Sequence, residues 1–432
     1  MDLESEIASE PPPPPAARGK LAPAVDARHA ALLRGRMHGA AFLMDAVGYS
    51  YPVMASAYAQ ETLGASALEL GVLGFVSPFT YALGCLLVGR LSDRFGSMHL
   101  VRLGIVLYAG IVLPAFLVAS SIPTLYLVSV AFGLSTSFFW TPLIRQLALL
   151  SPGAILWRSL GVFNISWALG ATAGSIGGPH AYRELGRPGA ALVCALLAIV
   201  ALAATSFRAR SIALPDGPAE PLERVDPRVA RRFLFAGWTA NFVGALASGA
   251  LQYLAVYLAR QLLLDERGRV EESDVLALAG FILLAKEGGR LLGFVSLRYW
   301  SGWHYSLPWL CAFQIAGGGA LVVAGCIGSA AACVALVVVF GIFTGLSYYS
   351  SLYYSMNLRS DEGRKSGLHE GILAFGVATG PPSCGAAAYF FRTPGVVPLL
   401  AGVFVVAGLA VELFFIRGRG TRPGGLPSEN PC

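Results

Sequence analysis

The sequence predicts an all-α integral membrane protein in which twelve spanning helices form two pseudo-symmetric six-helix bundles. Three observations predict it. Of 432 residues, 55% are hydrophobic and only 13% are charged, against about 25% charged in ordinary soluble domains. The apolar residues gather in stretches of about 20, the length that crosses the hydrocarbon core of a bilayer. The basic residues collect in alternate links between those stretches.

The stretches fall near residues 38–60, 68–89, 101–119, 122–144, 157–179, 189–207, 233–259, 276–297, 305–327, 329–355, 366–390 and 394–416. The first, eighth and eleventh are the least apolar. Residues 1–36 are polar, include Pro11 to Pro15, and read as a disordered cytoplasmic tail. Their acidic start is not followed by an isolated apolar run, so no cleaved signal is expected. Residues 37–207 then hold the first bundle, 208–232 an Arg- and Pro-rich cytoplasmic linker, 233–416 the second bundle, and 417–432 a cytoplasmic C-terminal tail.

Charge sets the orientation. With both termini in the cytoplasm, 23 of the 31 Lys and Arg residues fall on that side and 6 on the other. Lys286 and Arg290 lie within a span. Such asymmetry follows the positive-inside rule. Arg outnumbers Lys 28 to 3, which fits GC-rich coding and a bacterial inner membrane. The net charge of +6 is spread over short links, which argues against a nucleic-acid partner. The 7 cysteines form no C-x-x-C pair, so neither a metal site nor a disulfide framework is expected. No P-loop, H-E-x-x-H or G-x-S-x-G pattern occurs. The sequence therefore points away from an enzyme and from a bound cofactor, and any transport by it would be driven by gradients.

An internal repeat joins the halves. Arg158 to Gly174 and Arg364 to Gly380 match at a constant shift of 206 in one Arg, three Gly and one Ala. Gly133-Leu134-Ser135 in span 4 matches Gly345-Leu346-Ser347 in span 10. Asp45-Ala46-Val47-Gly48 in span 1 matches Asn241-Phe242-Val243-Gly244 in span 7. A repeat of this size places a pseudo-two-fold between the halves, with a solute site near the midplane.

Between spans 2 and 3 stands Gly89-Arg90-Leu91-Ser92-Asp93-Arg94-Phe95-Gly96. It resembles the G-x-L-a-D-r-x-G loop of the major facilitator superfamily and sits where that family has it. The resemblance implies the major facilitator fold, secondary active transport by a rocker-switch motion, and a monomer. It also implies a conformational latch of Gly89, Asp93, Arg94 and Gly96, with Asp93 docking on the start of span 11 near Ser366 and Gly367. Physically, that is a carboxylate on a helix N-terminus, with the two glycines allowing a tight turn and close backbone approach. The matching stretch of the second half, Gly293 to Trp300, has no Asp. A weaker resemblance, to the family's antiporter pattern, rests on Gly170, Gly174, Gly177 and Gly178, and on Gly376, Gly380, Pro381 and Gly385. Helix packing alone accounts for small residues four apart.

Ionisable residues inside a membrane are expensive, so each is a functional candidate. Asp45 is the favoured proton site and Glu287 the next, with His369 and Glu370 as proton or gate candidates at the start of span 11. Lys286 and Arg290 are the favoured contacts for an anionic solute. Glu287 and Arg290 are three apart and can pair, while Lys286 points about 100° away from Glu287 and is left free. Asn164, Trp167, Asn241, Gln252, Tyr349 and Tyr353 are further solute-binding candidates, with Trp140 and Trp238 secondary. Trp300 and Trp303 read as interfacial anchors. The expected partners are a small-molecule solute, protons and the lipid bilayer. Two rival readings stand beside the proton-coupled solute carrier: a proton antiporter exporting amphipathic compounds, and a non-transporting membrane sensor or scaffold.

Overall fold

The computed structural model describes residues 27–151, 154–206, 225–357, 362–393 and 395–417. Most of the expected tails and linker lies outside the described residues. Helix α1 is Ala27–Glu61, α2 is Ala67–Phe95 and α4 is Ile122–Leu149. Between the last two, α3 runs from Ser97–Leu107 through a π-helical turn, Tyr108–Val112, into Leu113–Val118. One helical run, Ala154–Thr205, carries spans five and six. Gly186, at φ 65° and ψ −177°, breaks it into α5 (154–185) and α6 (187–205). The second half comprises α7 Pro227–Arg267, α8 Glu272–Tyr299, α9 Leu307–Ile327, α10 Ala330–Asn357, α11 Glu362–Phe391 and α12 Val396–Arg417. The described residues thus form twelve helices and no strand.

Two helices start earlier than the apolar stretches suggest. Helix α1 begins at Ala27, inside the segment read as a disordered tail. Its first turns are rich in Ala, Leu and Arg, which favour helix. Arg34 Nη1 donates to the carbonyl of Leu150 at 2.7 Å, and Arg36 Nε to that of Ala204 at 2.9 Å. The helix is thereby tied to the C-terminal ends of α4 and α6, where orphan carbonyls need donors. Helix α7 begins at Pro227, within the expected linker, because the Asp226 side chain accepts from the Arg228 amide at 2.7 Å and caps it.

Among the described residues, 8 helical runs are long and apolar enough to cross a membrane, and Ser159–Thr205 is long enough to do so twice. Helices α1, α8 and α11 fall short. They carry Asp45, the Lys286–Glu287–Arg290 run, and His369 with Glu370. All six side chains are buried within the protein, which removes the cost of facing lipid.

The repeat seen in the sequence is a repeat in packing. A Cβ on Gly170 or Gly174 of α5 would overlap the carbonyl oxygens of Phe42 and Ala46 on α1. A Cβ on Gly376 or Gly380 of α11 would overlap those of Phe242 and Leu246 on α7. Each half thus joins its first and fifth helices backbone to backbone. Gly133 likewise brings α4 against α2 at Ser77, and Gly345 brings α10 against α8 at Arg290.

The halves meet chiefly on the side where α1 ends. There Gly71 and Gly74 of α2 lie on Pro381 of α11, and Gly385 of α11 lies on Ala67 of α2. Gly280 of α8 faces Ser175 and Pro179 of α5. At the rim, Arg260 Nη1 donates to Glu272 at 2.6 Å, near Glu61 at the end of α1. Burial and the nearby Glu272 charge push the Glu61 carboxyl up to about 7, with Arg260 pulling the other way.

Candidate functional site

Between the halves lies a cavity of about 220 Å³. Helix α1 supplies Asp45, Gly48, Tyr49 and Pro52; α2 supplies Ser77 and Tyr81; α4 and α5 supply Phe132, Trp140, Phe163 and Trp167. From the second half come Asn241, Ser248 and Gln252 of α7, Lys286 and Arg290 of α8, Thr344, Ser347 and Tyr348 of α10, and Glu370 of α11. The wall is aromatic on one side and charged on the other.

The charge is organised around Glu287, which is fully buried behind the wall. Its Oε1 is 2.9 Å from Lys286 Nζ and its Oε2 is 3.0 Å from Arg290 Nη1. Lys286 is therefore paired, not free. Its long stem curls back onto the adjacent residue, which side-chain angles taken at Cα do not anticipate. Lys286 Nζ also donates to Gln252 Oε1 at 2.7 Å. Arg290 donates from Nε to Thr344 Oγ1 at 3.1 Å, from Nη2 to Ser248 Oγ at 2.8 Å and from Nη1 to Tyr49 Oη at 3.1 Å. The guanidinium lies 5.5 Å from the Trp167 ring centroid, and Lys286 Nζ 5.6 Å from that of Tyr49. Both rings belong to the first half, so the cations face the aromatic wall across the interface.

Asp45 and Glu370 are the other carboxyls at the cavity. Glu370 accepts from Tyr81 Oη at 2.9 Å and from Tyr348 Oη at 3.4 Å, one tyrosine from each half. Asp45 is 7% exposed and has no hydrogen bond or ion pair among the described residues. The charges that reach it are those of Glu287, Arg290 and Glu370.

Several sequence expectations land elsewhere. His369 and Glu370 do not stand at the start of their helix. Helix α11 starts at Glu362, so they lie about two turns inside it. His369 does not line the cavity; it bonds Ser351 Oγ through Nδ1 at 2.8 Å and lies behind Tyr348 and Glu370, with Nε2 3.9 Å from the Glu370 carboxylate. Tyr349 and Tyr353 do not line the cavity. They pack with Trp303, at ring separations of 5.5 and 5.4 Å. The face of α10 that lines it runs through Thr344, Ser347 and Tyr348, three and four apart as one helical face must be. Trp303, read as an interfacial anchor, is 1% exposed at the centre of that aromatic cluster. Asn164 sits behind the wall, accepting from Trp167 Nε1 at 3.3 Å. Trp238 lies off the wall too and donates to Ser355 Oγ at 3.0 Å. Trp167, Asn241, Gln252, Trp140, Asp45, Lys286 and Arg290 do line the cavity.

At the expected latch, Gly96 adopts φ 82° and ends α2, a conformation that favours glycine. A Cβ on Gly89 would meet nothing within 4 Å, so no close backbone approach requires that residue. Arg94 is exposed and lies over the Phe95 ring. The side chains of Asp93, Ser366 and Gly367 lie outside the described residues.

Sequence reasoning missed Tyr49, Tyr81, Tyr348, Ser248 and Thr344. A signal existed for Tyr49, which stands four residues after Asp45 and so shares its face. None marked Tyr81 or Ser248, which become polar wall only when a facing helix presents Glu370 or Arg290.

Comparison with curated protein sequences finds no match. Solved structures share the fold, among them these two. One is the crystal structure of the nucleoside transporter NupG, with a TM-score of 0.65 and 12% identity over 90% of this chain and 100% of that one. The other is a bacterial homologue of the human lysosomal transporter Spinster, in an inward-facing and occupied conformation. It has a TM-score of 0.65 and 15% identity over 89% of this chain and 97% of that one. The family model of the Major Facilitator Superfamily matches residues 37–362, well over half of the sequence. The chain therefore belongs to the Major Facilitator Superfamily and is a multi-pass membrane transporter, not an enzyme.

Proposed function

We propose that this secondary transporter couples the movement of a small organic solute to protons, working as a monomer in a cell inner membrane with both termini in the cytoplasm. The observation that carries the reading is the cavity itself. It holds two cations and two carboxyls, walled from lipid, at the joint between two halves with matching internal packing. Asp45 is the proton site. It lines the cavity and no cation neutralises it at ion-pair distance, so a proton can change its charge without first breaking a pair. Glu370 is the second proton site. Its two tyrosine donors come from opposite halves, which ties its charge to how the halves sit. Trp167, Asn241, Gln252, Lys286 and Arg290 contact the solute. Rocking of the halves breaks the Tyr49–Arg290 and Tyr81–Glu370 bonds in turn and opens the cavity to alternate sides, and Gly89, Asp93, Arg94 and Gly96 bias that equilibrium from the end of α2. The orientation rests on the 23 basic residues of one side against 6 of the other.

The test begins with neutral, anionic and cationic small compounds ranked by thermal shift of the purified protein. Stabilising compounds are then supplied as labelled solutes to reconstituted vesicles. Under an imposed pH gradient the wild type should accumulate solute, whereas Asp45→Asn should lose accumulation and retain solute exchange. Accumulation that is unchanged in Asp45→Asn rejects Asp45 as the proton site.

A further inference from the structure

The cluster behind the cavity wall carries one more positive charge than it balances. Glu287 is a single carboxylate with two cations on it, Lys286 and Arg290. Their remaining donors reach only neutral oxygens, on Gln252, Ser248, Thr344 and Tyr49. An excess charge in a protein interior is costly unless a counter-ion meets it. Glu370 accepts from its two tyrosine donors, and neither Lys286 nor Arg290 is among the groups that act on it. Beyond Glu287, the carboxyl whose charge reaches Arg290 is that of Asp45.

Given the carrier reading above, we infer that the cavity takes a small organic monoanion, a monocarboxylate with an apolar or aromatic body, and that Asp45 takes up one proton as the anion binds. Ionised, Asp45 supplies the missing negative charge and repels a second one. Protonated, it leaves that place to the carboxylate of the solute. The two anions exchange on one positive charge, so proton and solute travel together with no net charge. A dianion would leave the site negative, and a neutral or cationic solute would leave the excess unmet. The body of the solute follows from the wall: Trp167 stands beside the Arg290 guanidinium, and Trp140, Phe132 and Phe163 continue the aromatic surface. A carboxylate at Arg290 therefore places an attached ring or short alkyl chain against aromatic faces. A cavity of about 220 Å³ suits a solute of that size and not an oligosaccharide.

The groups facing Asp45 support a one-proton exchange. Glu287 and Arg290 act from α8 and Glu370 from α11. Tyr49 lies one turn along α1 and Tyr348 acts from α10. Helix α7 presents the neutral Asn241 and Gln252, and α2 presents Tyr81. Helix α5 meets α1 through Gly170 and Gly174, with no charged side chain at that seam.

The probes are benzoate and short-chain alkanoates, with benzamide, phthalate and benzylammonium as neutral, dianionic and cationic controls. Full-length protein should be stabilised by a monocarboxylate and not by the controls. Proton uptake in weak buffer should reach one per anion bound, and affinity should fall about tenfold per pH unit above the Asp45 titration, as linkage requires. In Asp45→Asn, anion binding should lose both the proton uptake and the pH dependence. Equal stabilisation by benzamide, or binding without proton uptake, overturns the inference. If only neutral or cationic compounds bind and exchange across vesicles, the inference falls while the carrier reading stands. If no compound of any class binds or exchanges, both fall together.

Discussion

In the first half of the molecule, α5 lies on α1 at Gly170 and Gly174; in the second, α11 lies on α7 at Gly376 and Gly380. The charged side chains do not follow this repeat. Helix α8 buries Lys286, Glu287 and Arg290. Helix α2, second in its own half, has no charge between Glu69 and Arg90 and offers Ser77, Thr80 and Tyr81 instead. Asp45 of α1 is answered by Asn241 of α7, which cannot titrate. Packing two bundles alike demands the same small residues in both. One site between them needs its charges only once, so the halves share a framework and divide the chemistry. The first half offers aromatic surface and a lone carboxyl, the second a paired and hydrogen-bonded cluster.

The sharpest way to break this comparison is to remove the centre of the cluster. Glu287→Ala leaves two buried cations without their carboxylate and should cost about 3–5 kcal/mol, read as a large fall in thermal midpoint or loss of folded protein. Tyr81→Phe, at the wall of α2, should cost far less. Equal effects would mean that the charge asymmetry does not matter to the fold. Next in size is a symmetric pair. Gly174→Val and Gly380→Val each drive a side chain into a carbonyl of the neighbouring helix, and each should cost about 1–3 kcal/mol. The measurement is the ratio of the two losses. A strongly unequal pair would show that the two seams are not equivalent. The smallest effect lies at the rim. The folded protein holds the Glu61 carboxyl up at about 7, above its ordinary value. Its contribution to stability is therefore fully present below the ordinary carboxylate range and is lost as pH rises toward 7. Thermal midpoints should fall modestly from pH 5 to pH 8 in the wild type, and less in Glu61→Gln. An unchanged slope in that variant would remove Glu61 from the account.

Most of the framework is legible in the sequence because its physics is local. Apolar length marks a span, clustered Arg marks an orientation, and the shift of 206 between Gly170 and Gly376 marks a seam. Even the weak spans carry information: α1, α8 and α11 fail as apolar helices because they hold the charges of the cavity. The site is less legible because its facts are relations between helices. Lys286 reads as free when neighbouring residues are compared on a wheel, yet its stem is long enough to reach Glu287 at 2.9 Å. Four tyrosines in α10 look alike in the sequence. Only the approach of α11 and of the Trp303 segment decides that Tyr348 meets Glu370 while Tyr349 and Tyr353 meet Trp303. The start of α1 at Ala27 depends on carbonyls far along the chain, at Leu150 and Ala204.

The contact of Gly71 and Gly74 with Pro381 makes a smooth joint. Where long side chains interlock, two surfaces part only after each chain leaves its socket and finds a new rotamer. Here a helix backbone rests on the rigid ring of Pro381 and on another backbone, and the one long side chain against it is Tyr253 of α7 at Gly74. Such a joint can hold close when shut and still separate with little rearrangement of its own surfaces, so beyond the Tyr49–Arg290 and Tyr81–Glu370 bonds the work of opening lies in wetting the newly bared faces.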